Sequence, residues 1–522
     1  MQSHCPVSVS VSVQEALQIW LTVSLDDTLD CSPPRLQEET QTAVLSLFQR
    51  VIRHVPAYAD FLRDPEFDLN TLHALELKTL TQFQTLPMMT KQNYLQRYPF
   101  NQLVWPDETG SRVNMMAVSS GSTGTPGFWP RGWEDELAIA RRFEQVFVDS
   151  FDVSNRKTLA VVCFALGTWV GGLFTSQCCR LLSLKGYPVM VVAPGNNPSE
   201  IFRVIQALGP DYDQVVLLGY PPFLKEVVDG GLAQGLDWAA FQTKWVMAGE
   251  VFSEDWRDLM AARLGSSNPV MDSASLYGTA DAGVLGNETP MSISIRRFLA
   301  KHPQWAKRFF GSSERLPTLC QYDPRSRYFE VTPEGTLMFS GDNGLPLIRY
   351  HIGDEGGVWE YQALLDRLKE EAGFDALSAV PTGVTVRPLP FVYVFGRSHF
   401  VISYYGANLY PEQIGLALEQ KEVSGWVTGK FVMAVKFDAD QNAFWEVVIE
   451  LAESMKPEQM VSCCSDALMA SRIQQHVVQV NSEFAHYVPR DKQLPSVRYL
   501  SKGDPVYFPV GVKHRTTRPD LL

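Results

Sequence analysis

The chain has 522 residues, of which 45% are hydrophobic and 20% charged, a composition typical of a soluble globular protein. This length is too great for one ordinary hydrophobic core, so we expect at least two domains. The formal net charge of −13 argues against non-specific binding of nucleic acids, which requires clustered positive charge, but it allows a phosphate ligand held by backbone N–H groups.

Other sequence signals favour a cytoplasmic protein without a membrane span. The sequence contains no apolar run of 18 or more residues. Its first residues, Met1–Cys5, lack a basic region before an apolar run, so we expect no signal peptide. The eight cysteines include the pairs Cys178–Cys179 and Cys463–Cys464 but form no C-x-x-C zinc pattern. We expect them to be reduced and mostly buried.

Residues 14 to 110 are predicted to be mainly helical. The span Glu39–Val55 places its apolar residues on one stripe of a helix. These residues are Val44, Leu45, Leu47, Phe48 and Val51. A shorter helix is predicted over Lys91–Tyr98, whereas the alternating Val and Ser of Val7–Val13 suggest a short strand or a disordered tail.

From about residue 113, short runs rich in β-branched residues alternate with helical patterns. The predicted strands are Leu159–Phe164, Pro188–Ala193, Gln214–Leu218 and Lys244–Ala248. The predicted helices are Trp133–Phe147, Pro198–Leu208, Pro222–Ala233 and Ser253–Leu264. This alternation predicts an α/β fold with a mostly parallel sheet flanked by helices. Ligands of such sheets bind beyond the carboxyl ends of the strands.

The pattern changes again after Pro390, where a predicted strand at Phe391–Phe395 precedes a small α+β region. The predicted strands of this region are Phe431–Phe437, Phe444–Leu451 and Ser496–Leu500, and its predicted helix is Asp466–Phe484. We therefore predict a large N-terminal domain, residues 1–395, and a small C-terminal domain, residues 396–522.

A loop rich in glycine and hydroxyl residues is the strongest local motif. The sequence Ser119-Ser120-Gly121-Ser122-Thr123-Gly124-Thr125-Pro126-Gly127 follows a strand and precedes the helix that begins near Trp133. Glycines let the backbone approach an oligophosphate closely, and hydroxyl groups add hydrogen-bond donors. The loop lacks the Gly-Lys-Ser/Thr of the P-loop. By itself it is equally compatible with a flexible Gly/Ser turn.

This loop resembles the phosphate loop of the adenylate-forming superfamily, which comprises acyl-CoA synthetases, peptide-synthetase adenylation domains and luciferases. Four further segments resemble motifs of that family and occur in the family's order. They are Tyr277–Gly283, Arg349–Asp354, Gly396-Arg397 with Gly406–Pro411, and Gly511–Lys513. Within the superfamily the sequence is most similar to phenylacetate–CoA ligases, through Leu86–Lys91, Tyr98–Phe100 and Ala248–Glu250.

The resemblance implies an enzyme that uses ATP and Mg²⁺ and has a small, mobile α+β C-terminal domain. Such an enzyme joins a carboxylic acid to AMP, releases pyrophosphate, and passes the acyl group to a thiol, here expected to be that of coenzyme A. The expected acid is aromatic or of medium size and apolar. Two alternatives stay open: transfer to a carrier-protein thiol or an amine, and a non-catalytic nucleotide-binding relative.

The resemblance also implies roles for individual residues. The phosphate loop would comprise Ser119, Ser120, Gly121, Ser122, Thr123, Gly124 and Thr125. Other nucleotide-binding residues would be Ala248, Gly249, Glu250, Gly278, Thr279, and Tyr277 stacked on adenine. Asp354 would accept both ribose hydroxyls, Arg397 would anchor the nucleotide, Asp281 would bind Mg²⁺, and Lys513 would be the catalytic lysine. Taken singly, Tyr277, Asp354 and Lys513 are also compatible with a core aromatic, a turn former and a solvated charge.

Two positions depart from the family pattern. Where the family has Thr or Ser before Glu, this chain has Ala280 before Asp281, so the phosphate loop should contribute more of the phosphate contacts. The shorter carboxylate of Asp281 should shift the metal ion or bind it through water. Two positions after Arg397, His399 replaces the usual acidic residue of the hinge. The segment Phe164–Gly172 is a candidate acid pocket, because it mixes aromatic residues and glycines after a strand.

Overall fold

The N-terminal part of the chain is helical, as predicted. The computed structural model describes residues 13–29, 31–64, 77–106, 113–119, 127–167, 170–311, 316–397, 401–420, 423–453, 455–462, 465–508 and 516–517. The first helices are α1 (Val13–Thr22), α2 (Pro33–His54), α3 (Pro56–Phe61), α4 (Leu80–Phe83) and α5 (Phe100–Leu103). The predicted helix at Lys91–Tyr98 is a shorter π-helical turn, Lys91–Leu95. Of the alternating segment, only Val13 lies within the described residues, and it begins α1.

Helix α2 buries most of the apolar stripe predicted from the sequence. Its residues Val44, Leu47, Phe48 and Val51 are buried in one hydrophobic cluster, and the partly buried Leu45 packs against that cluster. The helix begins earlier than predicted because Pro33 suits its first turn, where no backbone N–H is needed.

The predicted phosphate loop joins two antiparallel strands rather than leading directly from a strand to a helix. Strand β1 (Met115–Ser119) pairs with β2 (Gly127–Arg131), with Ser119 opposite Gly127. Helix α6 (Trp133–Asp149) follows β2 at the predicted start. Residues 120–126 lie outside the described residues.

An eleven-stranded mixed sheet forms the centre of the fold. Its strands are β3 (Thr158–Val162), β4 (Val189–Val192), β5 (Gln214–Gly219), β6 (Lys244–Ala248), β7 (Ser273–Thr279), β8 (Gly283–Asn287), β9 (Thr318–Gln321), β10 (Arg327–Val331), β11 (Thr336–Gly341), β12 (Leu347–Trp359) and β13 (Phe391–Arg397). Across the sheet they lie in the order β10-β11-β12-β13-β9-β8-β7-β6-β5-β3-β4. Strands β3 to β7 pair in parallel, and the remaining pairs are antiparallel. The predicted α/β class is confirmed, and the parallel part contains the four predicted strands and β7.

Helices cover both faces of the parallel part. They include α7 (Val170–Leu182), α8 (Pro198–Leu208), α9 (Pro221–Ala233), α10 (Glu254–Leu264) and α11 (Pro269–Asp272). Three later helices pack with β9 and β13 of the antiparallel part instead, namely α12 (Pro290–Lys301), α13 (Pro303–Phe310) and α14 (Tyr361–Ala372). Leu159 and Val161 of β3 pack with α8, α9 and α10, whereas Ala160 and Val162 pack with α6 and α7. Because alternate residues point to opposite helical layers, β3 has the continuous apolar sequence of a strand buried on both faces.

The C-terminal unit, defined here as the described residues from 401 onward, is α+β. Its strands are β14 (Ile402–Tyr404), β15 (Ala407–Leu409), β16 (Val427–Phe437), β17 (Ala443–Leu451) and β18 (Ser496–Leu500). Its helices are α15 (Pro411–Leu418), α16 (Pro457–Ser462), α17 (Ser465–Val480) and α18 (Ser482–Tyr487). Strands β14 and β15 form a hairpin, and β16, β17 and β18 form a separate sheet.

The predicted helix Asp466–Phe484 is divided in two at Asn481. The fully buried Asn481 side chain accepts a hydrogen bond from the Phe484 N–H at 3.0 Å and begins α18. Asparagine is a favoured N-cap, since its side-chain oxygen satisfies an N–H group that lacks a partner within the helix. The same side chain donates to the Asn408 carbonyl at 2.8 Å, which ties α18 to the β14–β15 hairpin.

The chain leaves the large sheet after β13, which ends at Arg397. The predicted domain boundary between residues 395 and 396 therefore falls within the last residues of this strand. One hydrophobic cluster extends from α8, α9 and α10 into the C-terminal unit, where it includes Tyr404, Tyr405 and Trp445. The two parts thus share buried apolar surface.

Short 3₁₀ turns complete the described structure, at Leu25–Thr28, Ser183–Lys185, Gly209–Asp211, Ser424–Trp426 and Arg490–Lys492. Among the described helices, none combines the length and the apolar character that crossing a membrane requires. Five cysteines are buried thiols without a disulfide bond, namely Cys31, Cys163, Cys178, Cys179 and Cys320. Cys5, Cys463 and Cys464 lie outside the described residues.

Candidate active site

A cavity of about 440 Å³ lies beyond the carboxyl ends of the parallel strands. The large sheet contributes Phe164 after β3, Tyr220 after β5 and the segment Ala248–Glu250 at the end of β6. The C-terminal unit contributes Gly406 and Tyr487, both of which lie against the Tyr220 ring. The cavity is therefore where ligands of parallel α/β sheets usually bind, and both parts of the chain enclose it.

Tyr277 and Asp354 meet in this cavity although 77 positions separate them. The Tyr277 hydroxyl donates to Asp354 Oδ2 at 2.7 Å, and its ring stacks on Phe329 with centroids 6.3 Å apart. Asp354 belongs to β12 and is only 4% exposed, and its backbone lies opposite Arg397 of β13. The hydrogen bond fixes the orientation of a carboxylate that faces the cavity.

Asp281 lies at the turn between β7 and β8, where residues from three other segments surround it. Its Oδ2 accepts a hydrogen bond from the Tyr350 hydroxyl at 2.5 Å and lies 3.8 Å from Lys91 Nζ. The buried Arg131 guanidinium of β2 donates to the Ala280 carbonyl, and this hydrogen bond restrains the turn. The Asp281 carboxylate is therefore buried and positioned by its neighbours before any ligand arrives.

Asp281 can serve as one ligand of a metal ion that is also held by phosphate. Among the described residues, no group of three or more His, Cys, Asp or Glu side chains could hold a metal ion. Mg²⁺ commonly uses one or two protein carboxylates together with substrate phosphates and water. The described side chains thus fit a nucleotide-bound Mg²⁺ but not a site built from protein groups alone.

The segment Ala248–Glu250 connects the large sheet to the C-terminal unit. Glu250 Oε1 accepts a hydrogen bond from the Gly406 N–H at 2.5 Å, and the Gly249 carbonyl accepts one from Ser403 Oγ at 3.3 Å. Burial raises the pKa of Glu250 to about 7, and the Gly406 N–H opposes this shift by favouring the charged form. Besides lining the cavity, this predicted nucleotide-binding segment therefore contacts the β14–β15 hairpin.

Most of the predicted site residues that the structure describes converge on the cavity. Those that line it are Ala248, Gly249, Glu250, Tyr277, Gly278, Thr279, Asp281 and Asp354, together with Gly396 of the predicted hinge. Val118, just before the predicted phosphate loop, lines it as well. Predicted residues outside the described part are Ser120, Gly121, Ser122, Thr123, Gly124, Thr125 and Lys513, and of Ser119 and Arg397 only the backbone is described.

The candidate acid pocket also reaches the cavity. Phe164, Val170 and Gly171 of the predicted segment line it, whereas Thr168 and Trp169 lie outside the described residues. The rings of Phe164 and Tyr220 meet edge to face, with centroids 4.8 Å apart. This corner of the cavity is therefore aromatic.

The sequence did not predict several residues of the cavity wall. Tyr220 directly follows β5, and its position after a buried parallel strand was a usable signal. Tyr350 lies within the Arg349–Asp354 motif, but its contact with Asp281 depends on the pairing of strands that are distant in sequence. Tyr487 and Glu483 reach the cavity from α18, and no local pattern marks a short helix that packs against a part of the chain distant in sequence.

Comparisons with known proteins agree with this geometry. No protein-family model matches the chain. The chain is 24% identical over 391 residues to the phenylacetate–coenzyme A ligase of Aromatoleum evansii, which covers 72% of this chain and 75% of that enzyme. The fold of this chain is similar to that of 2-hydroxyisobutyryl-CoA ligase in complex with 2-HIB-AMP and CoA in the thioesterification state, with a TM-score of 0.61. The two sequences are 16% identical, and the match covers 93% of this chain and 91% of that ligase. The same ligase in the postadenylation state, in complex with R3-HIB-AMP, gives a TM-score of 0.51 at the same identity and coverage.

These similarities confirm the predicted resemblance to adenylate-forming enzymes and to phenylacetate–CoA ligases. They also confirm the predicted class of enzyme, an adenylate-forming acid–thiol ligase.

Proposed function

We propose that this chain activates a carboxylic acid with ATP as an acyl-adenylate and transfers the acyl group to the thiol of coenzyme A. The main support is the cavity at the carboxyl ends of β5, β6 and β7, where Ala248–Glu250, Tyr277 and Asp354 converge. We also propose that residues 1–395 bind ATP and the acid, and that residues 396–522 form the small domain that supplies Lys513.

The chemistry requires positive charge and hydrogen-bond donors around a phosphate. A carboxylate is a poor electrophile, so one of its oxygens attacks the α-phosphorus of ATP, pyrophosphate leaves, and AMP becomes the leaving group of the next step. Negative charge gathers in the transition state, which positioned donors and cations stabilise. In this proposal the loop Ser120–Thr125 holds the outer phosphates, and Lys513 brings a point charge to the α-phosphate.

The nucleotide would bind along the Tyr277–Asp354 pair. A carboxylate has several acceptor positions, so Asp354 can accept hydrogen bonds from ribose hydroxyls while Tyr277 keeps it oriented. The Tyr277 ring would stack on adenine, and Arg397, whose backbone lies opposite Asp354, would anchor the nucleotide. Asp281 would be the protein ligand of Mg²⁺, an ion that supplies charge neutralisation on the phosphates when bound.

The acid is proposed to be aromatic or of medium size and apolar. Phe164, Phe174, Tyr220 and Val170 line one region of the cavity, and their side chains suit an apolar ligand. The phenylacetate–CoA ligase to which this chain is similar is named for an aromatic acid. Gly406 packs directly against the Tyr220 ring, lines the cavity, and is proposed to face the incoming thiol.

Exchange of labelled pyrophosphate into ATP tests the first step directly. We expect exchange that requires both Mg²⁺ and a cognate acid from a panel of aromatic and aliphatic acids. Release of AMP is then compared with coenzyme A, a carrier-protein thiol or an amine as the acceptor. Exchange with no acid of a broad panel would favour the non-catalytic, nucleotide-binding alternative instead.

A lysine variant tests the proposed catalytic residue. Lys513→Ala should depress pyrophosphate exchange by orders of magnitude while leaving nucleotide binding nearly intact, because the lysine acts on the transition state. Lys502→Ala is the matched control, since Lys502 is an exposed lysine of the C-terminal unit paired with Glu453 at 3.0 Å. Exchange by Lys513→Ala at the wild-type rate would remove Lys513 from the mechanism.

A further inference from the structure

Two consecutive residues of α9 contact two different hairpins of the C-terminal unit. Lys225 Nζ donates to Asn442 Oδ1 at 2.6 Å, in the turn between β16 and β17. Glu226 Oε1 accepts a hydrogen bond from the Tyr405 hydroxyl, in the turn between β14 and β15. Because both contacts are polar and partly buried, their geometry restricts how the C-terminal unit sits on α9.

The turn that Tyr405 forms with Gly406 needs support from its surroundings. Tyr405 has a φ of +54° and Gly406 a φ of +81°. Positive φ is unfavourable for a residue with a bulky side chain, so Tyr405 would not adopt this conformation readily alone. Its ring is buried and meets the ring of Tyr404 edge to face, with centroids 4.8 Å apart. The hydroxyl bond to Glu226 ties the end of that ring to α9.

The same turn forms part of the cavity wall. Gly406 lines the cavity, and its N–H donates to Glu250 Oε1 at 2.5 Å. Its Cα lies so close to Tyr220 that an added Cβ would be 2.3 Å from that ring. Glu226 itself is not among the lining residues, and its hydrogen bond to Tyr405 connects it to Gly406, which is.

Burial and nearby charges give Glu226 an unusual environment. Burial raises its pKa to about 7, and the Tyr405 hydroxyl, Lys492 and Lys225 oppose that shift while Asp491 adds to it. A partly neutral carboxyl still accepts the tyrosine hydrogen bond, so the contact does not require a charge on Glu226.

We propose that Glu226 is a positioning residue for the acceptor step. Through the Tyr405 hydroxyl it holds the Tyr405–Gly406 turn, and with it the wall that the C-terminal unit contributes to the cavity. The inference rests on the proposed function in one respect, namely that Gly406 faces the thiol acceptor. Among the described residues, Glu226 hydrogen-bonds neither Tyr277 nor Asp354, so we expect acid activation to be less sensitive to its loss than the acceptor step.

Three variants separate the hydrogen bond from the charge and from packing. Tyr405→Phe removes only the donor, Glu226→Leu removes the acceptor, and Glu226→Gln keeps an oxygen that accepts from Tyr405. We expect the first two to raise KM for coenzyme A on the order of tenfold, as expected for loss of one such bond. Pyrophosphate exchange should stay near the wild-type rate in both, and Glu226→Gln should keep a near-normal KM.

Tyr404→Phe is the matched control. Tyr404 is the neighbouring buried tyrosine, but its hydroxyl donates to the Lys492 carbonyl at 3.1 Å within the C-terminal unit. Losing that bond should leave KM for coenzyme A unchanged. An equal rise in KM for Tyr404→Phe and Tyr405→Phe would overturn the proposal, because the effect would then report general loosening of the hairpin.

Hydrogen exchange measures the turn without any assay of activity. The amide of Gly406 should exchange faster in Tyr405→Phe and Glu226→Leu than in the wild type, and at the normal rate in Glu226→Gln. An unchanged rate of hydrogen exchange at the Gly406 amide would refute the positioning role. This holds even if the wild-type chain forms no acyl-CoA, that is, even if the proposed function fails. Faster hydrogen exchange at Gly406 together with an unchanged KM for coenzyme A, in an active enzyme, would equally refute the proposal. The turn would then not affect the acceptor step.

Discussion

Gly406 combines a left-handed backbone conformation with close contact to an aromatic ring. Its φ is +81°, and a Cβ at this position would lie 2.3 Å from two atoms of the Tyr220 ring. In Gly406→Ala the backbone conformation costs about 1–2 kcal/mol. The Tyr220 ring cannot move aside easily, because the rings of Phe164 and Tyr487 pack against it, with centroids 4.8 Å and 5.5 Å away. Overpacking of this kind costs about 1–3 kcal/mol more.

The free energy of unfolding should therefore fall by about 2–5 kcal/mol in Gly406→Ala. Urea denaturation followed by tryptophan fluorescence measures this change. Gly373→Ala is the matched control, since Gly373 has a φ of +66° but no atom of the described residues would lie within 4 Å of its added Cβ, so only the backbone cost applies. If both variants lose the same stability, Tyr220 does not confine the turn and the reasoning fails. Adding Tyr220→Ala to Gly406→Ala should give less destabilisation than the sum of the two single variants.

Three further predictions concern buried polar groups. Arg257→Met removes one of two buried arginines that pair with the buried Glu254 and Glu288, so Arg296 alone is left between both carboxylates. The fold should lose about 3–5 kcal/mol in urea denaturation, and a loss below about 1 kcal/mol would contradict this expectation. Tyr58→Phe removes a buried hydroxyl that has no hydrogen-bond partner among the described residues, so the thermal midpoint of the variant should be unchanged or higher. A clear fall in the midpoint would show that the hydroxyl does have a stabilising partner. Burial raises the pKa of Glu226 to about 7 in the folded chain, so the fold favours the protonated carboxyl. The stability that this preference contributes is fully present below the ordinary pKa of glutamate and is lost as the pH rises through about 7. Glu226→Gln should therefore flatten the decline of stability between about pH 5 and pH 8, measured by urea denaturation across that range, and an unchanged slope would exclude Glu226 as its source.

The parallel part of the fold was predictable because its signals are local. Strand β6 was predicted at Lys244–Ala248 and helix α8 at Pro198–Leu208, and both have these bounds in the structure. The antiparallel half was mostly missed, although the alternating burial of β12 leaves a trace of period two in its sequence. The division of the long C-terminal helix was missed too, because Asn481 acts as a cap only in that folded context.

The motifs and their order were readable without the fold. Tyr277, Asp281, Asp354 and Ala248–Glu250 were recognisable because a family motif is a short run of residue types. The structure then placed these segments around one cavity. It left the roles of the phosphate loop and of Lys513 as predictions.

The side chains that support those motifs became known only from the folded chain. Tyr350 reaches Asp281 across 69 positions, and Tyr405 reaches Glu226 across 179. Such contacts depend on strand order and on how the C-terminal unit packs against α9, and neither leaves a periodic signal in the sequence. The reason is physical: a hydrogen bond requires its two atoms to lie within about 3 Å, whereas composition and periodicity report only which face of an element is buried.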